Sequence, residues 1–178
     1  MKLNFCPTCA APLTASTTTH YRCPAGHEYF NNPRATVLLL LINDQSELLF
    51  ARRAHEPQKD KYDFPGGFVD YGETGLQAVQ RELAEETGAQ ALQLTLIGSV
   101  ANEYEELVST VDCVYACTAW QGELTPQDDV AALEWQPLDF MNSAQFAWPG
   151  VYRDQLYTLI TQYLSSQNTE PTTEKLLQ

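Results

Sequence analysis

Between Gly67 and Ala89 the chain runs Gly67, five residues, Glu73, seven residues, then Arg81-Glu82-Leu83-Ala84-Glu85-Glu86-Thr87-Gly88-Ala89. The pattern describes a glycine loop feeding a short helix. Thr74 or Glu73 is placed to cap its N-terminus, and Gly88 suits the left-handed conformation that ends a helix. Leu76, Val79 and Leu83 recur at three- and four-residue steps and mark the expected buried stripe. Glu82, Glu85 and Glu86 fall at i, i+3 and i+4, so their carboxylates share one patch. Clustered like charges repel, and a stable fold avoids them unless a cation neutralises them. Hard divalent cations such as Mg²⁺ and Mn²⁺ take oxygen ligands and bridge carboxylates to substrate phosphates. A solvated helix face accounts for any one of these glutamates but not for the whole pattern. Seven specified positions arise by chance roughly once in 10⁷–10⁹ starts.

The 178 residues favour one principal domain with room for a small module. Ten Lys and Arg face 23 Asp and Glu, a formal net charge of −13. Such a surface disfavours non-specific binding to nucleic acid or to an anionic membrane. No apolar run approaches the roughly 18–20 residues that span a bilayer. The N-terminal Met1-Lys2-Leu3-Asn4-Phe5 lacks the apolar region of a signal peptide. The expected compartment is therefore the cytoplasm, where cysteines are thiols or metal ligands and not disulfides.

Residues 1–33 read as a separate module. Cys6-Pro7-Thr8-Cys9 is a CxxC knuckle, followed after thirteen residues by Cys23-Pro24-Ala25-Gly26-His27. The set suits tetrahedral Zn²⁺, with Cys6, Cys9 and Cys23 as ligands and His27 as the fourth; His20 competes for that place. So short a stretch cannot build its own core, so the metal would supply the missing folding free energy. All these ligands lie upstream of the glutamate helix, which makes the zinc structural. Asn31-Asn32-Pro33 is a linker, and Arg34 beyond it is either a surface charge or a phosphate or dimer contact.

Ala35–Ile42 reads as a central strand, Asn43–Ser46 as a hairpin turn, and Glu47–Arg53 as the returning strand. Arg52 and Arg53 are candidates to face substrate phosphates. His55, in the polar loop Ala54–Tyr62, receives no role. Pro65-Gly66-Gly67 permits close backbone approach, so the Gly67 carbonyl can reach a metal. Leu92–Ala101 is the next strand and Asn102–Glu106 an acidic loop. Val108–Trp120 is a long strand with Val111, Cys113, Tyr115 and Cys117 on one face; both cysteines read as core. Gly122–Val130 is a loop containing Asp128-Asp129, Ala131–Gln136 a short strand, and Pro137-Leu138-Asp139 the start of a helical turn. Val151–Leu164 is an amphipathic helix with Leu156, Leu159, Ile160 and Tyr163 as its apolar face. Ser165–Gln178 reads as a frayed tail, with 166–178 outside the folded domain.

The segment Gly67–Ala89 resembles the signature box of the Nudix hydrolases, with its Gly, Glu and Arg positions all filled. Ala89 departs from the larger aliphatic residue usual there, which bears on packing and not on chemistry. The resemblance covers residues 34–165. It implies an α/β (α+β) fold, a mixed sheet sandwiched between helices, and hydrolysis of a nucleoside diphosphate linked to another moiety. On that reading Glu82, Glu85, Glu86 and the Gly67 carbonyl hold Mg²⁺ or Mn²⁺, and Glu73 joins through water or orients the others. Arg81 is a structural partner of Glu85, and the general base is Glu85 or Glu134. Glu134 sits where several members present a further carboxylate; a solvent-facing strand Glu is the alternative. The ribbon resembles that of NADH pyrophosphatases. Their Ser-Gln-Pro-Trp-Pro-Phe-Pro stretch is absent, however, the chain reading Ser99-Val100-Ala101-Asn102-Glu103-Tyr104 instead. The expected substrate is a dinucleotide or an ADP-sugar. Tyr104, Phe68 and Trp148 are candidates to stack on its base. Relatives of this architecture often pair, so a homodimer is expected. The competing reading is a non-catalytic nucleotide sensor whose ribbon touches nucleic acid through Lys2, Arg22 and Arg34.

Overall fold

Val37–Ile42 is apolar at every position, which is too much for a strand with one wet face and suits one covered on both. The computed structural model describes residues 4–105 and 108–167, Glu105 by its backbone alone, and it covers this strand on both sides. The ribbon contributes β1 (Thr14–Ala15), β2 (His20–Arg22) and β3 (Glu28–Phe30), an antiparallel sheet in that order. There follow β4 (Arg34–Leu41), β5 (Leu48–Arg53), β6 (Tyr62–Asp63), β7 (Gly66–Phe68) and helix α1 (Gly75–Thr87). The chain continues with β8 (Gln90–Glu105), β9 (Val108–Gln121), β10 (Val130–Gln136), a 3-10 helix (Leu138–Asn142) and α2 (Val151–Gln167).

The larger sheet has the order β7-β4-β9-β8. Its β4 and β9 are parallel, from Arg34 opposite Thr110 to Leu41 opposite Cys117, and its outer pairs are antiparallel. Leu38, Leu40 and Ile42 point to one side with Val114 and Ala116, against Tyr152, Leu156 and Ile160 of α2. Val37, Leu39 and Leu41 point to the other with Tyr115 and Cys117, against Ala78, Val79 and Leu83 of α1. The mixed sheet between helices is thus present. A second, antiparallel sheet, β10-β5-β6, stands beside it.

Several expectations change. The Asn43–Ser46 turn forms, but its flanking strands are not a hairpin pair: only the Ile42–Leu48 bridge joins them, and β5 passes into the second sheet. Asn102–Glu105 is not a loop but the end of β8, paired with β9 through Asn102 opposite Thr110. Helix α1 is capped as expected. Thr74 Oγ1 accepts the Gln77 N–H at 3.3 Å, Gln77 Oε1 accepts the Thr74 N–H at 2.9 Å, and Gly88 takes φ +73. Its buried stripe is Ala78, Val79, Leu83, Glu86 and Thr87; Leu76 shares the phase of Val79 and Leu83 but, in the first turn, is 48% exposed. Ala89 is fully buried beside Val79 and Leu83. Helix α2 runs on through Ser165 to Gln167, and the rest of the expected tail lies outside the described residues.

Leu39→Ala removes a fully buried side chain and is expected to lower stability by about 2–5 kcal/mol. Leu76→Ala is expected to change it by less than about 0.5 kcal/mol. Urea unfolding checks both, and equal losses would contradict the burial assigned to the two side chains.

Candidate active site

The turn from β7 into α1 brings backbone and carboxylates into contact. The Gly66 N–H donates to Glu86 Oε2 at 2.9 Å. Gly66 has φ +147, and a Cβ there would lie 2.1 Å from the Val37 carbonyl oxygen. A Cβ on Gly67 would lie 2.4 Å from Glu82 Oε1. Glycine at Gly66 is therefore required by the β4 backbone beside it, and at Gly67 by the Glu82 carboxylate packed against it.

Arg81 organises the glutamates. Its Nε and one terminal nitrogen donate to the two oxygens of Glu73, each at 3.0 Å. The same terminal nitrogen reaches the Phe68 carbonyl at 2.9 Å. The other donates to Glu82 at 2.7 Å and Glu85 at 3.0 Å. All five N–H groups of the guanidinium are in use. The expected Arg81–Glu85 pair is present as one part of this larger clamp. Arg81 and the Asp70 N–H hold the Glu73 carboxyl below the ordinary carboxylate range.

Glu82, Glu85, Glu86, Gly67 and Arg81 line a cavity of about 380 Å³. Burial pushes the Glu86 carboxyl up to about 8, and the charges of Glu82, Asp63 and Asp129 add to the rise. Burial also raises Glu82, against the opposing pull of Arg81. Thr36, Asn102, Thr110 and Asp112 line the cavity from the larger sheet, and Asp63 from β6. Asp112 accepts hydroxyl hydrogen bonds from Thr36, Thr110 and Tyr152. Asp63 accepts the Trp148 indole N–H and the Phe64 N–H; burial outweighs these bonds and the nearby Arg53, leaving its carboxyl at about 6.

The expected site residues divide. Glu82, Glu85, Glu86 and Gly67 meet at the cavity, while Glu73 stands behind them, bound to Arg81. Glu134 is not brought there: β10 sets it opposite Phe50, and it accepts the Tyr62 hydroxyl. Asp128 and Asp129, which received no role from the sequence, do line the cavity. Their loop is tied to the end of α1, with the Thr125 N–H on the Thr87 carbonyl and the Gln127 N–H on the Glu86 carbonyl, both at 2.9 Å. Arg53 faces the cavity and lies 3.9 Å from Asp63, whereas Arg52 pairs with Asp60 at 3.5 Å. His55 also lines the cavity, 3.6 Å from Asp129. Arg34 lies over the Phe68 ring at 5.7 Å. The aromatic candidates form one strip: Phe68 and Tyr104 are 5.7 Å apart, Tyr104 and Trp148 5.2 Å.

In the ribbon, the ligand atoms of Cys6, Cys9, Cys23 and His27 all lie within 4.8 Å of one another. His27 Nδ1 is 3.5 Å from the sulfurs of Cys6 and Cys23, and Cys9 and Cys23 sulfurs are 3.8 Å apart. A tetrahedral ion with ordinary bonds to sulfur and nitrogen has edges of about 3.8 Å and about 3.5 Å. The donor set fits a four-coordinate metal. His20 stacks on Phe30 at 4.5 Å and stands outside the cluster.

Residues 32–155 match the NUDIX domain family, more than half of the chain. The chain belongs to this family. Among its Nudix relatives is an ADP-ribose pyrophosphatase of Methanocaldococcus jannaschii, 28% identical over 117 residues, 65% of this chain and 69% of that protein. An 8-oxo-dGTP diphosphatase of Escherichia coli is 31% identical over 108 residues, 60% of this chain and 82% of that protein. A Nudix hydrolase structure from Nitrosomonas europaea covers 95% of both chains at 20% identity with a TM-score of 0.68. The Nudix domain of Shewanella oneidensis NrtR, solved with ADP ribose, covers 76% of this chain and 90% of that one at 24% identity, TM-score 0.61. The last two show likeness of fold. Among the described residues no helix is long and apolar enough to cross a membrane.

Asp63 and Glu86 hold protons in the metal-free fold at pH values where the unfolded chain, with carboxyls near about 4, has released them. Their contribution to stability is therefore complete below about pH 4 and is lost as pH rises through about 6 and about 8. A divalent cation on Glu86 displaces that proton, so its affinity rises over the same window. The metal-free Tm is expected to fall from about pH 5 to about pH 9, with Mg²⁺ raising it most at the alkaline end and Glu86→Gln flattening the metal-free slope. A metal-free Tm that climbs over this range would contradict the assignment.

Proposed function

We propose that this Nudix chain is a metal-dependent pyrophosphohydrolase. It cleaves the diphosphate of a nucleoside diphosphate linked to another moiety, a dinucleotide such as NADH or NAD⁺ or an ADP-sugar such as ADP-ribose. The observation that carries the reading is the meeting of Glu82, Glu85 and Glu86 in a cavity that also holds Arg53 and an aromatic strip. Four carboxylates counting Asp129, two of them buried or nearly so, form a hard-oxygen donor set suited to Mg²⁺ or Mn²⁺. Bound there, such ions supply charge neutralisation of the diphosphate and a water of lowered pKa.

The chain's own residues divide the remaining work. Glu82, Glu85, Glu86 and the Gly67 carbonyl would hold the cations, and Arg81, fixed by Glu73, sets the glutamate rotamers. Arg53, which lines the same cavity, is the residue placed to meet a phosphate oxygen. Glu85, whose side chain is half exposed, is free to take a proton from the attacking water. Glu134 enters only as the acceptor for Tyr62. The names of the relatives, an ADP-ribose pyrophosphatase and an 8-oxo-dGTP diphosphatase, support diphosphate chemistry on nucleotides. Three sulfurs and one imidazole nitrogen in the ribbon suit structural Zn²⁺. A homodimer in the cytoplasm completes the reading.

A phosphate-release screen with Mg²⁺ and with Mn²⁺ tests the activity, using NADH, NAD⁺, ADP-ribose, FAD, dinucleoside polyphosphates and nucleoside triphosphates. Hydrolysis of the dinucleotides or of ADP-ribose is expected. Glu85→Gln and Glu86→Gln should each lower turnover at least about a hundredfold while remaining folded. Near-normal turnover in both would remove the helix from the chemistry. Silence across the panel from a metal-bound, folded protein would favour the nucleotide sensor. The same preparation, purified without chelator, should contain about one zinc per chain and scatter light at twice the 20.0 kDa chain mass. A folded, zinc-free monomer would overturn both of those expectations.

A further inference from the structure

One buried polar side chain in the cleft stands apart from its neighbours. Thr36, Asp63, Glu86, Thr110 and Asp112 are each hydrogen-bonded through their side chains. Asn102 is as deeply placed, 7% exposed, and lines the same cavity. Its carboxamide has no hydrogen-bond partner among the described residues. A carboxamide carries two donors and an acceptor, and here they are left for a partner in the cavity that Asn102 lines.

The surroundings keep it free. Thr110, opposite Asn102 on β9, gives its hydroxyl proton to Asp112 at 2.6 Å. Asp112 is filled by Thr36, Thr110 and Tyr152 and has no oxygen left unbonded. Two residues along β8 from Asn102 stands Tyr104, between Phe68 and Trp148. An unpaired donor–acceptor edge beside aromatic faces is complementary to a flat ring bearing its own adjacent donor and acceptor. A nucleobase has such an edge and two π-faces, and Asn pairs with a base edge in this bidentate way. A sugar offers hydroxyls but no such face.

We infer that Asn102 reads the hydrogen-bonding edge of the substrate's nucleobase, which stacks on the half-buried Tyr104. The inference rests on the reading of this cleft as a nucleotide site. It makes Asn102 a specificity-determining residue and puts the base beside Tyr104 on the β8 side of the cleft.

Calorimetric binding in Mg²⁺ tests it without turnover, using methylene-bridged diphosphates of the four common nucleosides and inorganic diphosphate as the base-free probe. In the natural protein the best nucleotide should bind at least about tenfold tighter than inorganic diphosphate. Asn102→Ala should weaken that nucleotide about ten- to a hundredfold and leave inorganic diphosphate unchanged. Asn102→Ser, which keeps a small polar group on the strand, should give an intermediate loss for the nucleotide and none for inorganic diphosphate. Unchanged nucleotide affinity in Asn102→Ala, or an equal loss for both probes, overturns the assignment. A protein that hydrolyses nothing yet loses nucleotide affinity in Asn102→Ala sinks the catalytic reading and keeps this one. An active enzyme whose nucleotide affinity survives the substitution does the reverse.

Discussion

The guanidinium of Arg81 is the group on which this cleft depends. Three glutamates and a backbone carbonyl converge on it, and each of its five N–H groups is taken. Without it, Glu73, Glu82 and Glu85 would repel one another at short range in a partly dehydrated place, and the helix would have to turn them to water. Lysine could not replace it, because a single ammonium cannot clamp Glu73 with two parallel bonds while also reaching Glu82, Glu85 and the Phe68 carbonyl. Glu86 lies outside the clamp and rests instead on the Gly66 N–H, which is why burial moves its carboxyl so far.

The site is also an extension of the core. One face of the larger sheet is apolar where Leu38, Leu40, Val114 and Ala116 meet α2. Two residues further along the same strands, that face carries Thr36 and Asp112, with Arg34 and Thr110 beyond them. Side chains alternate along a strand, so packing of the apolar half sets which way the polar half faces. The hydroxyls of Thr36, Thr110 and Tyr152 then make a buried carboxylate at Asp112 tolerable.

Much of this was legible in the sequence because it is local. The capped helix, the zinc-type knuckles and the continuous apolar strand follow from spacing within a few residues. The glutamates of α1 reach the cavity as their spacing requires, and His27 joins the cysteines as the CxxC and Cys-x3-His spacing favours. What was hidden depends on pairing across long separations. Asn102 reads as part of an acidic loop until β8 is seen to run on and pair with Thr110. Asp112 sits among core residues of β9, and only its register against Thr36 shows that it borders the cleft. Glu134 and Asp129 are five residues apart, yet one faces Tyr62 and the other the cavity. The signal for Asp129 was present in the loop position of Asp128-Asp129, but nothing local said that the loop docks on α1. The second sheet was missed for the same reason, since a turn between two strands does not reveal which neighbours each will choose.

That docking bears on how the cleft can move. The carbonyls of Glu86 and Thr87, which a helix end ordinarily leaves for water, are filled by N–H groups of the 122–130 loop. Swinging this wall outward would break both bonds and uncover the end of the helix that carries the glutamates. The 54–56 turn leans on the same loop: the Ala54 N–H donates to the Asp129 carbonyl at 2.8 Å, and His55 lies 3.6 Å from the Asp129 carboxylate. One bonded chain of contacts thus runs from Ala54 through Asp129 to the end of the helix that carries the glutamates, so a shift of that turn bears on the place of Asp129 beside them.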